Sequence, residues 1–117
     1  MRTITKYIEA IKASIEYRVG QNAKDNYDII DQSGPDDIWF HINQVSSCHV
    51  VATIPSEKKY DNKQLKKIAI QGALLCKQNS RYKSDPNISI MYTKIQHVEK
   101  TGTVGAVTVE IYKTLIV

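Results

Sequence analysis

The sequence predicts an α+β domain, a mainly antiparallel sheet carrying one long packed helix and one short helix. Three observations lead there. Short stretches with alternating apolar residues recur along most of the chain, while Lys63–Asn79 alone carries a long run of helical three-four spacing. The 117 residues, 42% of them hydrophobic with only five Gly and three Pro, suit one globular unit with one core, so residues 1–117 are expected to form a single domain.

The elements follow in chain order. ITKYIEAI, within Thr3–Ile11, fits a strand or a short helix, and a strand hairpinned to the next segment is the favoured reading. Ser14–Val19 puts Ile15, Tyr17 and Val19 on one face and Glu16 and Arg18 on the other. Gly20 stops the alternation, and Asn22 is placed to cap a short helix from about Ala23 to Ile30, with Asp25 three residues on as a short relative of the capping box. Ser33, Gly34 and Pro35 then turn the chain. In Ile38–Ile42 the residues Ile38, Phe40 and Ile42 share one face, and Trp39 and His41 share the other. His49–Ile54 is a further strand closed by Pro55. Asn62 offers a cap for the helix Lys63–Asn79, whose buried face is expected to be Leu65, Ile68, Ala69, Gly72, Ala73 and Cys76. Gly72 there would let another element approach closely. Strands are expected again at Ile88–Tyr92, Lys94–Val98 and Val107–Leu115, with Gly102 and Gly105 between the last two.

The net charge of +4 is modest, but its placement is uneven. Residues 57–85 hold eight basic side chains, Lys58, Lys59, Lys63, Lys66, Lys67, Lys77, Arg81 and Lys83, against three acidic ones, for a net of +5. Such a region attracts phosphate backbones through long-range attraction and counterion release, although Lys-rich helices also serve simply to face water. No apolar run approaches the roughly 18 residues of a membrane helix, and Lys6, Glu9, Lys12 and Glu16 interrupt any signal-like stretch at the N-terminus. No membrane association is expected. Cys48 and Cys76 are too few for a disulfide scaffold and read as buried thiols of a reducing, cytoplasmic setting.

Enzyme motifs are absent: no phosphate-binding Gly-rich loop, zinc spacing or nucleophile elbow occurs. His41, Cys48 and His49 lack a fourth metal ligand by spacing, and a Cys-His nucleophilic pair lacks an orienting third group, so neither metal nor cofactor is expected. Asp36 and Asp37, following Gly34-Pro35, read as turn-capping residues rather than an acid-base pair. Trp39 reads as a core anchor more than a base-stacking platform, and Tyr60, Tyr82 and Tyr92 suit either base stacking or the core edge.

GQNAKDN, then PDDIWFH, then SSCHVV form an ordered combination that resembles the RNA-binding domain of the NFACT family. The likeness continues through the helix KQLKKIAIQGALLCKQNS and through YTKIQHVEKTGTVGAVTV, nearly the whole chain from about Ser14. That domain forms the C-terminal portion of ribosome quality-control factors and also occurs as a stand-alone protein, including short eukaryotic relatives with a coiled-coil tail. The resemblance matches Gly20, Asn22 and Asn26 to the glycine-asparagine signature, Trp39, Phe40 and His41 to the tryptophan-phenylalanine-histidine signature, and Ser47, His49 and Val50 to the serine-x-histidine-valine element. Ser80, Tyr92, Thr93, Val98, Lys100, Gly102 and Gly105 match its C-terminal features. The short polar groups among them either bind a ligand or hold loops by hydrogen bonds.

The resemblance stops short of the N-terminal domain, helical arms and middle domain of the long factors, and of the coiled-coil tail, so recruitment of alanyl-tRNA and peptide tailing are not implied. It implies a non-enzymatic nucleic-acid-binding module for tRNA or ribosomal RNA, with the basic residues above and Lys100 facing the polyanion. A ribosomal protein partner and DNA are the alternatives.

Overall fold

Alternation at the N-terminus produces a hairpin. In the computed structural model, which describes residues Met1–Val117, β1 (Arg2–Ile8) pairs antiparallel with β2 (Ala13–Val19), from Arg2 opposite Val19 to Ile8 opposite Ala13. The expected strand to Ile11 stops earlier: Glu9–Ile11 is a single 3-10 turn, and Lys12 at φ 50° closes it. Helix α1 (Ala23–Gln32) starts where expected, because the Asn22 side chain accepts from Asp25 N. It extends a little beyond Ile30, and Ser33 ends it.

β3 (Ile38–Ile42) and β4 (Val50–Thr53) follow, and then α2 (Asn62–Gln78). The cap of α2 is Asp61, not Asn62. Asp61 and Gln64 exchange side-chain and backbone hydrogen bonds as a full capping box, which satisfies two end groups at once. β5 (Ser89–Lys94) completes the middle of the sheet.

The end of the chain departs from the sequence expectation. Lys94–Val98 is not a strand: Ile95–His97 forms a 3-10 turn, because Ile95 N donates to Asp37 O and Gln96 N to Pro35 O, bending the chain over the start of β3. Val107–Leu115 is two strands in two different sheets. β6 (Val98–Lys100) and β7 (Val107–Val109) make a separate antiparallel ribbon, whereas β8 (Lys113–Ile116) joins β5.

The main sheet runs β1-β2-β4-β3-β5-β8 with every pairing antiparallel. Alternation sends Tyr17, Phe40, Ile42, Val50, Ala52 and Ile90 to one face, where α2 covers them with Ile68, Ala69, Ala73, Leu75 and Cys76. Leu65, expected in that buried face, only packs at its margin. A Cβ on Gly72 would lie 2.2 Å from Phe40 Cζ, so this glycine sets how closely helix and sheet approach. The Tyr17 hydroxyl donates to Ile68 O at 2.8 Å and ties β2 to α2 inside the core. On the opposite face Trp39 and Val51 meet Ile29 of α1 together with Ile95 and Val98, forming a smaller second core. The molecule therefore has three layers: α2, the sheet, and α1 beside the β6-β7 ribbon.

Candidate functional site: an uncharged cleft over the second sheet face

Where α1 and the ribbon stop short of covering the sheet, a cleft of about 890 Å³ opens. Its floor is Trp39 and His41 of β3 with His49 just before β4, and its walls come from Gly20–Ala23, the turn Gln44–Ser47 and the ribbon loop. None of its lining residues is Asp, Glu, Lys or Arg.

The three floor rings form one cluster. His41 lies parallel to Trp39 at 5.5 Å between centroids, and His49 stands edge-on to both, at 5.3 Å from Trp39 and 5.2 Å from His41. Burial depresses the basicity of both histidines. The His41 pKa falls through loss of hydration, partly opposed by its contact with the Ile42 carbonyl. That of His49 drops to about 3, chiefly from burial and then from His41 beside it. Both rings are consequently neutral at pH 7. His41 Nδ1 lies 2.6 Å from Ile42 O, a contact that puts the neutral ring's proton on Nδ1 and leaves Nε2 as an acceptor.

Several polar groups around the floor already have backbone duties. Asn22 caps α1, and Asn26 Oδ1 accepts from His49 N at 3.1 Å. Ser47 Oγ accepts from Ile42 N and donates to Cys48 O. Gly20 sits so close to Asn26 that a Cβ would meet Asn26 Oδ1 at 2.1 Å. Gly105, at φ +85°, lets the ribbon loop press against Ala23. Tyr27 of α1 anchors that loop, its hydroxyl lying within 2.9 Å of the carbonyls of Thr101, Thr103 and Ala106. Two buried polar atoms of the floor remain without any partner, Trp39 Nε1 and His49 Nδ1.

A family model described as the NFACT protein RNA binding domain matches residues 12–110. The chain belongs to that family. Curated relatives of this NFACT RNA-binding domain include coiled-coil domain-containing protein 25 of Danio rerio, 37% identical over 94 residues, covering 72% of this chain and 41% of that protein. The Dictyostelium discoideum homolog of that protein is 29% identical over 101 residues, covering 86% and 48%. The chain thus spans less than half the length of these relatives. Among solved structures, the C-terminal part of a fibronectin/fibrinogen-binding protein from Streptococcus suis superposes with a TM-score of 0.77 over 97% of this chain and 44% of that one, at 21% identity, a likeness of fold.

In this NFACT domain the motif residues divide between the two faces of the sheet. Gly20, Asn22, Asn26, Trp39, His41, Ser47, His49 and Gly105 border the cleft. Phe40 does not: it faces α2, and Tyr92 stacks against it at 6.1 Å on that same side. Thr93 is buried beside Trp39 in the β3-β5 register, and Gly102 touches nothing that would exclude a side chain. Tyr60, Tyr82 and Tyr92 all pack on the main core as edge residues. Asp37 has the capping role expected of it, accepting from Gly34 N and Ile54 N. Met91, Asn79, Val45 and Val104 also line the cleft and escaped the sequence reading. Met91 alone had a signal, since it alternates with Ile90 and Tyr92.

The basic residues lie elsewhere. Lys63, Lys66 and Lys67 ride on the exposed side of α2, behind the sheet as seen from the cleft, with Lys58 and Lys59 in the preceding loop and Arg81 and Lys83 in the following one. Lys77 is half-buried and donates to Val117 O. None of these eight cations forms an ion pair within the chain, whereas Lys100 is held by Asp31 and lies 4.9 Å from the centre of the Tyr27 ring. The two cysteines are free, and each Sγ lies 3.9 Å from the other's carbonyl oxygen; Cys76 is buried, but Cys48 is only half so. No three His, Cys, Asp or Glu side chains come together in a group able to hold a metal ion. No helix is long and apolar enough to cross a membrane.

Proposed function

We propose that this chain is a non-enzymatic module that binds tRNA or ribosomal RNA, working in the cytoplasm in a ribosome-associated or quality-control setting. The observation that carries the reading is the row of cations from Lys58 to Lys83: seven of the eight are exposed, and all eight lack an acidic partner. Unpaired, exposed cations on one helix and its flanks are what a phosphate backbone requires, since each contact releases a condensed counterion. Lys100 is a weaker contributor, because a phosphate would have to compete with Asp31 for it.

Phosphate contacts position an RNA without reading its bases. Replacing Lys66 and Lys67 with Gln should therefore weaken a tRNA and an unrelated hairpin by similar factors, and flatten the slope of log affinity against log salt by roughly 1 to 2. The assay is anisotropy titration at three salt concentrations, with duplex DNA alongside and circular dichroism as a check on folding. Wild-type affinity and slope in the double variant would mean that these lysines are merely solvated, and would favour an adaptor that docks on a ribosomal protein.

A further inference from the structure

We infer that Cys48 and Cys76 are an oxidant-responsive pair: a peroxide entering the cleft oxidises Cys48, and Cys76 converts the product to a disulfide that ties the β3-β4 connection to α2. Nothing in this chemistry depends on RNA.

The two thiols meet at the edge of the main core. Cys48 belongs to the irregular stretch Ser46–His49 ahead of β4, and Cys76 to the last turn of α2, 28 positions later. Each Sγ lies 3.9 Å from the other residue's carbonyl oxygen. Two such contacts, one in each direction, put both sulfurs in the gap between the two main chains, and a hydrogen bond joins the thiols. A disulfide needs its sulfurs about 2 Å apart and its two Cα atoms within roughly 7 Å, so thiols already in contact have only a small approach left to make. The stretch that must yield is irregular backbone, not helix.

Their surroundings divide the work between them. Cys48 is half-buried and lines the cleft, whereas Cys76 is 0% exposed and shielded from solvent. The hydrogen bond from Cys76 holds the Cys48 thiol below its ordinary pKa, and the thiolate is the form that peroxides oxidise. Cys76 stands well above its ordinary pKa, first through its hydrogen bond to Cys48 and then through burial. Oxidation removes the negative charge of Cys48 that helps to hold Cys76 protonated. The Ser47 side chain and the Ile42 backbone, which favour the ionised form of Cys76, remain in place.

With hydrogen peroxide, the Cys48 thiolate attacks one peroxide oxygen: an S–O bond forms, the O–O bond breaks, and hydroxide leaves and is protonated to water. Sulfur has given two electrons to the peroxide and become a sulfenic acid. The Cys76 sulfur then attacks the Cys48 sulfur, the S–O bond breaks, and the departing hydroxide takes the Cys76 proton, leaving a disulfide and a second water. A dithiol reductant restores both thiols by exchange. Reversible bonds of this kind are the ones found in reducing compartments.

Trypsin separates the pair for the test, since cleavage after Lys24 and Lys58 puts Cys48 in residues 25–58, and cleavage after Lys67 and Lys77 puts Cys76 in residues 68–77. Hydrogen peroxide in slight excess over the folded protein should remove two hydrogens from the intact mass and link these two peptides within one chain, and dithiothreitol should undo both changes. In Cys76→Ala the reaction should halt at the sulfenic acid, so that dimedone tags residues 25–58. In Cys48→Ala the Cys76 thiol should be lost at least about tenfold more slowly than Cys48 is in the wild type. Three wild-type results would each overturn the inference: Cys48 tagged or over-oxidised without the linked peptides, links only between two chains, or both thiols untouched while free cysteine in the same solution is consumed. Because the wild type decides, a variant that fails to fold leaves the outcome unchanged.

Discussion

His49 makes stability depend on pH in a window where few other groups titrate. Folded, its pKa is about 3; unfolded, it returns to the ordinary 6.5. A depressed folded pKa means that the unfolded chain takes up a proton below pH 6.5 while the folded chain does not. The contribution is therefore complete above 6.5 and is lost progressively as pH falls from 6.5 toward 3. Each pH unit inside the window is worth about 1.4 kcal/mol per proton, so going from pH 7 to pH 5 removes about 2 kcal/mol through His49 alone. His41, lowered by the same burial, adds in the same direction. For a domain of this size the melting temperature should drop by roughly 8 °C over that interval. The measurement is thermal unfolding followed by circular dichroism from pH 7.5 to 4.5, on the wild type and on His49→Gln, whose neutral side chain cannot titrate. The variant should start less stable and lose less on acidification. Parallel pH profiles for the two proteins would refute the reasoning, because they would show that His49 is protonated equally in both states.

Two further outcomes follow from the packing around α2. Gly72→Ala gains about 1 kcal/mol of helix propensity in isolation but places a Cβ 2.2 Å from the fully buried Phe40 ring, so urea unfolding should show a net loss of roughly 1 to 2 kcal/mol; a gain would mean that helix and sheet separate easily. Between the cysteines, the hydrogen bond from Cys76 pulls the Cys48 thiol below its ordinary pKa, while the same contact and burial push Cys76 well above. Iodoacetamide at pH 8 should accordingly label half-buried Cys48 and spare Cys76 until denaturant is added, as read by peptide mass mapping, and equal labelling of both would contradict that geometry.

The parts of the fold that repeat a local period were legible in the sequence. Alternation set Tyr17 apart from Glu16 and Arg18 in Ser14–Val19 and Phe40 apart from Trp39 and His41 in Ile38–Ile42, and three-four spacing located α2; that Tyr17 and Phe40 share a face came only with the fold. Illegible were the features made by distant partners. Nothing in residues 94–98 announces that Asp37 and Pro35 take their amides and turn a strand into a 3-10 bend. Nor does any local signal say that β4 lies between β2 and β3. The candidate site was half visible. Its residues were gathered by motif, yet one signature joins Trp39 and His41 to Phe40, which alternation turns toward α2. The proximity of Cys48 and Cys76, the uncharged lining and the two unpartnered ring nitrogens exist only once the chain is folded.

The way Tyr27 holds the ribbon loop bears on how such a cleft could be retuned, in evolution or by design. Its hydroxyl has one proton to share among three carbonyls, and it also accepts from Thr101 N, so a single phenol anchors the whole outer wall. The floor is costly to alter, because Trp39 also fills the second core. The wall is different: Gly102, Thr103 and Val104 are exposed and bear no core contacts. Side-chain changes at Val104 would reshape the mouth of the cleft at little cost to folding, whereas a change of length would take away the Thr103 carbonyl that Tyr27 and Ala106 N use. The ribbon loop thus keeps apart what Tyr27 needs, the backbone of Thr101, Thr103 and Ala106, and what is free to vary, the exposed side chains of 102–104.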